Sequence, residues 1–178
     1  DHAEAARRFQ AAIDLDPRKI ESLNQGQSYI PDVPTEQVAA LVKHDLLHAT
    51  TDYDALYKVD SIFICVPTPF DANKAPDLTA VKQAAEGIAP RLQRGQIVIL
   101  QSTTYPGTTE EVVLPILEKS GLKAGTDFDL AFSPERIDPG NKQFNAINTP
   151  KVVGGLNERG TQRAAALLKR IGAPVELV

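Results

Sequence analysis

Short apolar runs recur along the chain, separated by stretches with helical spacing. The runs at 9–14 (FQAAID), 46–50 (LLHAT), 61–66 (SIFICV), 96–103 (QIVILQST), 127–133 (DFDLAFS) and 151–155 (KVVGG) predict strands, and PVELV at 174–178 opens one more. PTEQVAALVKHD places Val38, Leu41 and Val42 on one helical face. DLTAVKQAAEGIAPRLQRG does the same for Val81, Ala84, Ile88 and Leu92, and ends at Gly95. Helices are also predicted over 16–26, stopped by Gly26, over 52–59 and over 159–172. Thr108 and Glu111 stand in capping-box spacing ahead of a helix that ends at Gly121, and Pro115 within it predicts a kink. Strands without polar alternation at their centres are covered on both faces. Alternating with helices, they predict an α/β fold: a doubly wound, mostly parallel sheet with right-handed crossovers.

Composition sharpens this picture. The 178 residues, 42% hydrophobic and 24% charged, suffice for one domain with a real core. A formal charge of -4 leaves no basic stripe, which argues against a general nucleic-acid binder. A nucleotide held by backbone N–H groups stays compatible with that charge. One cysteine excludes a disulfide framework within the chain and points to a reducing compartment. No apolar run approaches the ~20 residues of a membrane helix, and no signal-peptide pattern is present. The longest irregular stretch, 134–150, has the length of a functional or disordered loop.

In a doubly wound sheet, ligands bind outside the carboxyl ends of the strands. Read in order, those ends are Asp14-Leu15-Asp16, Ala49-Thr50-Thr51, Val66-Pro67-Thr68-Pro69, Gln101-Ser102-Thr103-Thr104, Ser133-Pro134-Glu135-Arg136 and Gly154-Gly155. Polar groups and prolines thus gather on one predicted edge. Pro67 and Pro69 cannot donate to a sheet ladder, so they stop the strand and stiffen a wall there. Thr68 offers a hydroxyl, and the backbone around Val66 faces the crevice.

Asp14 has two compatible readings. It takes the ribose hydroxyls of a dinucleotide, or Asp14 or Asp16 caps the helix that starts at Pro17. The ribose-binding acid normally follows a G-x-G-x-x-G by ~20 residues. Only 13 residues precede Asp14 and the chain holds no such motif. Either the first strand and glycine-rich turn are missing from the chain, or the fold is not dinucleotide-binding.

Other candidates are weighed the same way. The Ser and Thr residues of QSTTYPGTTEE serve as helix caps more often than as catalysts. Glu135-Arg136, after an apolar strand and before a Pro-Gly turn, points a charged group at a ligand; the competing reading is a local surface ion pair. Asp71, Asn73 and Asp77 lack the Gly and terminal Glu of a calcium loop. His2, His44 and His48 have no metal-ligand spacing and are expected on surface helices, so no metal is expected. Cys65, inside an apolar strand, is expected to be a buried, inert thiol.

IDLDPRKIESLNQG, ICVPTP followed by PDL, QSTTYPGTTEE and FSPERIDPGN…KVVGG occur in this order and spacing. Together they resemble the UDP-glucose/GDP-mannose (nucleotide-sugar) dehydrogenase family over residues 9 to about 155. The Glu-Arg-x-x-Pro-Gly form is most similar to the branch acting on UDP-N-acetylhexosamines for bacterial surface polysaccharides. The resemblance implies a Rossmann-type NAD-binding domain, with residues 1–178 a part of it, and NAD as cofactor. It implies two oxidations at C6 of the sugar, alcohol to aldehyde and aldehyde to carboxylate, by a cytoplasmic enzyme on a UDP-sugar, with no nucleic-acid or membrane partner.

For single residues, it implies that Asp14 holds the adenosine ribose with Lys19 near it. Val66, Pro67 and Thr68 line the cofactor, and Ser102 and Thr103 approach the nicotinamide side. Thr103 matches the catalytic threonine. An unassisted hydroxyl is too weak a base at neutral pH, so its expected task is to orient water or substrate. Glu135 matches the carboxylate that meets substrate and assists proton transfer. Arg136 is placed to pair with a carboxylate or phosphate.

Some members carry a second carboxylate four positions after the first. That position is Pro139 here, so a two-glutamate mechanism does not carry over. The family's dimer helix and its catalytic lysine, asparagine and cysteine fall after residue 178, and Cys65 does not match that cysteine. The isolated chain is therefore expected to be inactive and the full-length protein a homodimer. Two alternatives are a non-catalytic relative that binds a nucleotide sugar or a partner, and an NAD-dependent hydroxyacid dehydrogenase.

Overall fold

Every residue of Ile97–Leu100 is buried to 0% exposure, which requires apolar cover on both faces of that strand. The computed structural model that shows this describes residues 10–70, 76–136, 143, 148–170, 172 and 174–178. Phe9, His2, Asp71, Asn73 and Pro139 lie outside the described residues. The chain divides into two units, Asp1–Val59 and Asp60–Val178.

In the first unit, β1 (Gln10–Ile13) pairs in parallel with β2 (Leu47–Thr50). The connection runs through α1 (Pro17–Asn24) and α2 (Thr35–Lys43). Leu23, Val38 and Ala49 form a small core, with Ile20, Val33 and Val42 packed against it. Leu41, expected on the face of Val38 and Val42, is exposed instead. Gly26 ends α1 with φ +74, and an added Cβ there would lie 2.9 Å from the Cα of Ala39, so glycine is needed both for the turn and for the approach of α2. Asn24 ties α1 to β2: its side chain donates to the carbonyl of Ala49 at 2.9 Å and accepts from the Ala49 N–H at 2.8 Å.

Capping of α1 falls to Asp16, whose carboxylate accepts from the Arg18 N–H at 3.0 Å. The Arg18 guanidinium bonds the same carboxylate and, with that N–H, holds it down from 3.8 to about 2. A lowered carboxyl stabilises the fold fully above its ordinary value of 3.8, and the contribution is lost as pH falls through about 2. Asp16→Ala is therefore expected to lower Tm by a constant amount above pH 3.8, with the difference closing toward pH 2. A difference independent of pH across that window in thermal scans contradicts this.

The second unit holds a five-stranded sheet of order β3-β4-β5-β6-β7. β3 (Ser61–Ile64), β4 (Ile97–Leu100) and β5 (Asp129–Phe132) are parallel. β6 (Lys151–Gly155) runs antiparallel to β5 and parallel to β7 (Val175–Leu177). The fold is thus α/β with a mostly parallel sheet, as expected, but the one reversal changes which residues share an edge. Because β6 runs backwards, its start and not its end projects past that edge: Gly154 pairs with Phe132, the last residue of β5, and Lys151 lies beyond it.

α3 (Thr79–Ile88) buries Val81, Ala84, Ala85 and Ile88, and Leu92 beyond it is also buried, as the helical spacing predicts. The segment after Gly107 departs from expectation. Thr108 and Glu111 form no capping box: the Thr108 hydroxyl donates to the carbonyl of Tyr105 at 2.8 Å, and Gly107 is the N-cap with φ +93. The kink expected at Pro115 is a π-helical turn over Thr108–Val113, followed by the single α-helical turn of α4 (Leu114–Leu117). A wider turn absorbs the N–H that Pro115 lacks and keeps its ring off the preceding carbonyl. α5 (Glu158–Lys169), capped by the Asn157 side chain on the Gly160 N–H at 2.8 Å, packs Ala164 and Leu168 on Ile97, Ile99, Ala131 and Val153. Val98 and Leu100, alternating with these, face the other side of β4. Among the described residues no helix is long and apolar enough to cross a membrane.

Candidate functional site

At the end of β3 the ladder stops at Ile64, whose carbonyl accepts from the N–H groups of both Gln101 and Ser102, at 2.9 and 3.1 Å. The Val66-Pro67-Thr68-Pro69 segment then leaves the sheet but is laced to the end of β4. Ser102 Oγ donates to the carbonyl of Val66 at 2.7 Å, and Thr68 Oγ1 donates to the carbonyl of Thr103 at 2.6 Å. The two prolines thus frame a loop held by hydroxyls instead of ladder bonds. Ser102 is buried in that task, whereas Thr103 is exposed. The Thr103 hydroxyl makes no hydrogen bond among the described residues.

Glu135 follows β5 by three residues, its N–H bonded to the carbonyl of Gln101 at 3.0 Å. Its Oε1 accepts from the Arg136 N–H at 2.7 Å and from Lys151 Nζ at 3.2 Å. Oε2 accepts from Gln101 Nε2 at 3.2 Å. Among the described residues no ion pair with Arg136 forms: Arg136 contributes its backbone N–H, and Lys151 is a cation on the carboxylate. The Arg136 side chain is exposed beside it. Val66, Thr68, Ser102, Thr103 and Glu135 thus share the carboxyl edge of β3, β4 and β5.

Cys65 corrects another expectation. It lies one residue beyond β3, exposed, with its Sγ 3.3 Å from Gln101 Oε1 as donor. The sheet ends before it, so the thiol joins the edge network instead of the core. Partial desolvation, then the charge of Glu135, push the thiol up to about 11 although Lys151 works in the opposite direction. It remains a thiol at neutral pH and is a poor nucleophile. Ser133 and Thr149, close in sequence to Glu135 and Lys151, bury hydroxyls that have no partner among the described residues; such groups cost about 1–3 kcal/mol each. His44 follows α2 and His48 lies in β2, not on a helix; both are exposed.

Asp14 belongs to the first unit and follows β1, its N–H on the carbonyl of Thr50 at 3.3 Å. With Asp16 serving as cap, the Asp14 carboxylate accepts from the Asp16 N–H at 2.8 Å and from Lys19 Nζ at 3.0 Å, one bond on each oxygen. Each carboxylate oxygen keeps a lone pair. The bond to Asp14 raises the Lys19 ammonium above its usual value, and Lys19 also lies 5.6 Å from the ring centre of Tyr29. A part-exposed carboxylate with open lone pairs at a parallel strand end, beside a cation, suits a ribose diol. This donor set fits NAD.

Sequence reasoning placed Gln101 on the edge but missed Lys151. It also missed Asp129, whose buried carboxylate starts β5 and takes Arg159 at 2.8 Å and Arg163 at 2.6 Å. Arg159 and Arg163 were legible as i, i+4 neighbours on the predicted helix. Lys151 left no such signal, because its position depends on the direction of β6.

A sequence model described as the UDP-glucose/GDP-mannose dehydrogenase family, NAD binding domain, matches residues 5–172. The chain is 37% identical over 166 residues to a UDP-N-acetyl-D-glucosamine 6-dehydrogenase of Pseudomonas aeruginosa, covering 93% of this chain and 39% of that protein. It is 33% identical over 167 residues to a UDP-N-acetyl-D-mannosamine dehydrogenase of Yersinia pestis, covering 88% of this chain and 39% of that one. Among solved structures, the NDP-N-acetyl-D-galactosaminuronic acid dehydrogenase from Methanosarcina mazei Go1 matches with a TM-score of 0.84 and 33% identity over 95% of this chain and 37% of that one. The chain spans about two fifths of the length of the curated relatives it matches.

Proposed function

We propose, from the premise that this chain belongs to the UDP-glucose/GDP-mannose dehydrogenase family and carries its NAD-binding domain, that it supplies the cofactor half of a nucleotide-sugar 6-dehydrogenase. The reaction is the two-step oxidation of the C6 alcohol of a UDP-N-acetylhexosamine to the uronic acid, in the biosynthesis of a surface polysaccharide. The observation that carries this reading is the carboxylate of Glu135, held by Arg136 N–H, Gln101 and Lys151 beside the exposed Thr103. NAD supplies the hydride acceptor when bound.

The chain's own residues do the rest. Asp14 accepts hydrogen bonds from the adenosine ribose, with Lys19 keeping that end cationic. Val66, Pro67 and Thr68 form the wall along the cofactor, rigid because Ser102 and Thr68 tie it to the end of β4. Thr103 orients the hydroxyl or a water. Glu135 receives the proton that leaves as the alcohol or the hydrated aldehyde is oxidised. Arg136 pairs with an anionic group of the substrate. The single cysteine fits a reducing, cytoplasmic setting.

The test is made on the full-length protein. NADH formation is followed with UDP-N-acetylglucosamine, UDP-N-acetylmannosamine, UDP-glucose and simple hydroxyacids, and NAD binding by calorimetry with wild type and Asp14→Ala. Turnover on a UDP-N-acetylhexosamine and a roughly 10–100-fold weaker NAD affinity in the variant are expected, the worth of charge-assisted hydrogen bonds. Turnover confined to hydroxyacids, or unchanged NAD affinity, contradicts the reading.

A further inference from the structure

Lys151 is a charged residue in a place that charge avoids. Its side chain is 2% exposed, while the carboxylate it meets, on Glu135, is 38% exposed. A buried ammonium is costly unless it is paired and hydrogen-bonded. Its backbone is fixed by β7: its N–H bonds the carbonyl of Pro174 at 2.8 Å, and Lys151 pairs with Val175 in the ladder. The antiparallel course of β6 brings this ammonium to the edge where β3, β4 and β5 end. It contacts Glu135 at 3.2 Å.

The geometry points to Lys151 as a positioning residue for the reaction. It holds Glu135 as a carboxylate, in the single orientation set jointly with the Arg136 N–H and Gln101 Nε2. Through Gln101 the same hold extends to the thiol of Cys65. The proton-accepting form of Glu135 is thereby present down to a lower pH than an unpaired carboxylate allows. This rests on the reading that Glu135 is the proton acceptor. It adds a second residue that touches neither substrate nor cofactor and acts through the first.

The experiment compares full-length wild type with Lys151→Met, Lys151→Gln and Lys151→Arg. Two quantities are read: the pH profile of kcat/KM, and the titration of the Glu135 carboxyl carbon by 13C NMR, its signal assigned by loss in Glu135→Gln. The expected result is an acidic limb and a carboxyl titration that both move up by about one pH unit or more in the Met variant, with Arg restoring both toward wild type. Should Met not fold, Gln, which keeps a polar head, carries the same expectation. Lower activity or Tm with limb and titration unmoved shows that Lys151 only fills space and overturns the proposal. Turnover that survives Glu135→Gln sinks the proton-acceptor reading and the positioning role with it. A carboxyl titration that still moves in the Lys151 variants then attributes that failure to Glu135's assigned role and not to the ion pair.

Discussion

Glu135→Gln in the full-length protein is expected to lower kcat by about 10²–10⁴-fold, the usual worth of a positioned general base. The substitution keeps the shape and the acceptor oxygen for the Arg136 N–H and for Lys151, but removes the negative charge. NAD affinity is expected to stay within about twofold of wild type, because the proposed ribose contacts are those of Asp14 and Lys19. The separation of the two readouts is the point of the test. Loss of turnover together with NAD binding indicates a folding defect, and calorimetry detects it. Unchanged turnover removes Glu135 from the chemistry. The Thr103 hydroxyl cannot take over as base at neutral pH, so no rescue from the neighbouring strand end is expected.

The second large effect lies at the opposite end of β5. Asp129 is completely buried, and its carboxylate is neutralised by Arg159 and Arg163, whose side chains are 52% and 36% exposed. Both arginines also donate to turn carbonyls, Arg159 to Gly125 at 3.2 Å and Arg163 to Gly95 at 2.8 Å. They therefore fasten α5 to the turns that lead into β4 and β5. Replacing both by alanine leaves a buried anion without a partner, and a loss of about 3–5 kcal/mol is expected in urea unfolding. Adding Asp129→Asn to that double variant is expected to recover most of the loss, since the side chain keeps its volume and sheds its charge. A loss below about 1 kcal/mol, or no recovery with asparagine, assigns the stability to packing alone.

Much of this was legible in the chain. The apolar run IVIL, with no polar alternation, demanded cover on both faces, and Ile97–Leu100 is covered on both. The spacing of Val81, Ala84, Ile88 and Leu92 named the buried face of α3 correctly, because helical period and burial are set locally. Pro67 and Pro69 announced the end of β3, and the ladder stops just ahead of them, at Ile64. Asp14 and Asp16 left a choice of helix cap that local sequence could not make; the structure puts the cap on Asp16.

What the sequence determined by itself was what near neighbours in the chain decide: the strands, most helical faces, the prolines at the strand ends and the order of polar residues along the predicted edge. Tertiary structure alone decided which strand ran backwards, and hence that Lys151 and not Gly154-Gly155 meets Glu135. Strand direction depends on ladder partners 22 or more residues away, and a one-dimensional pattern of apolar positions reads the same in both directions.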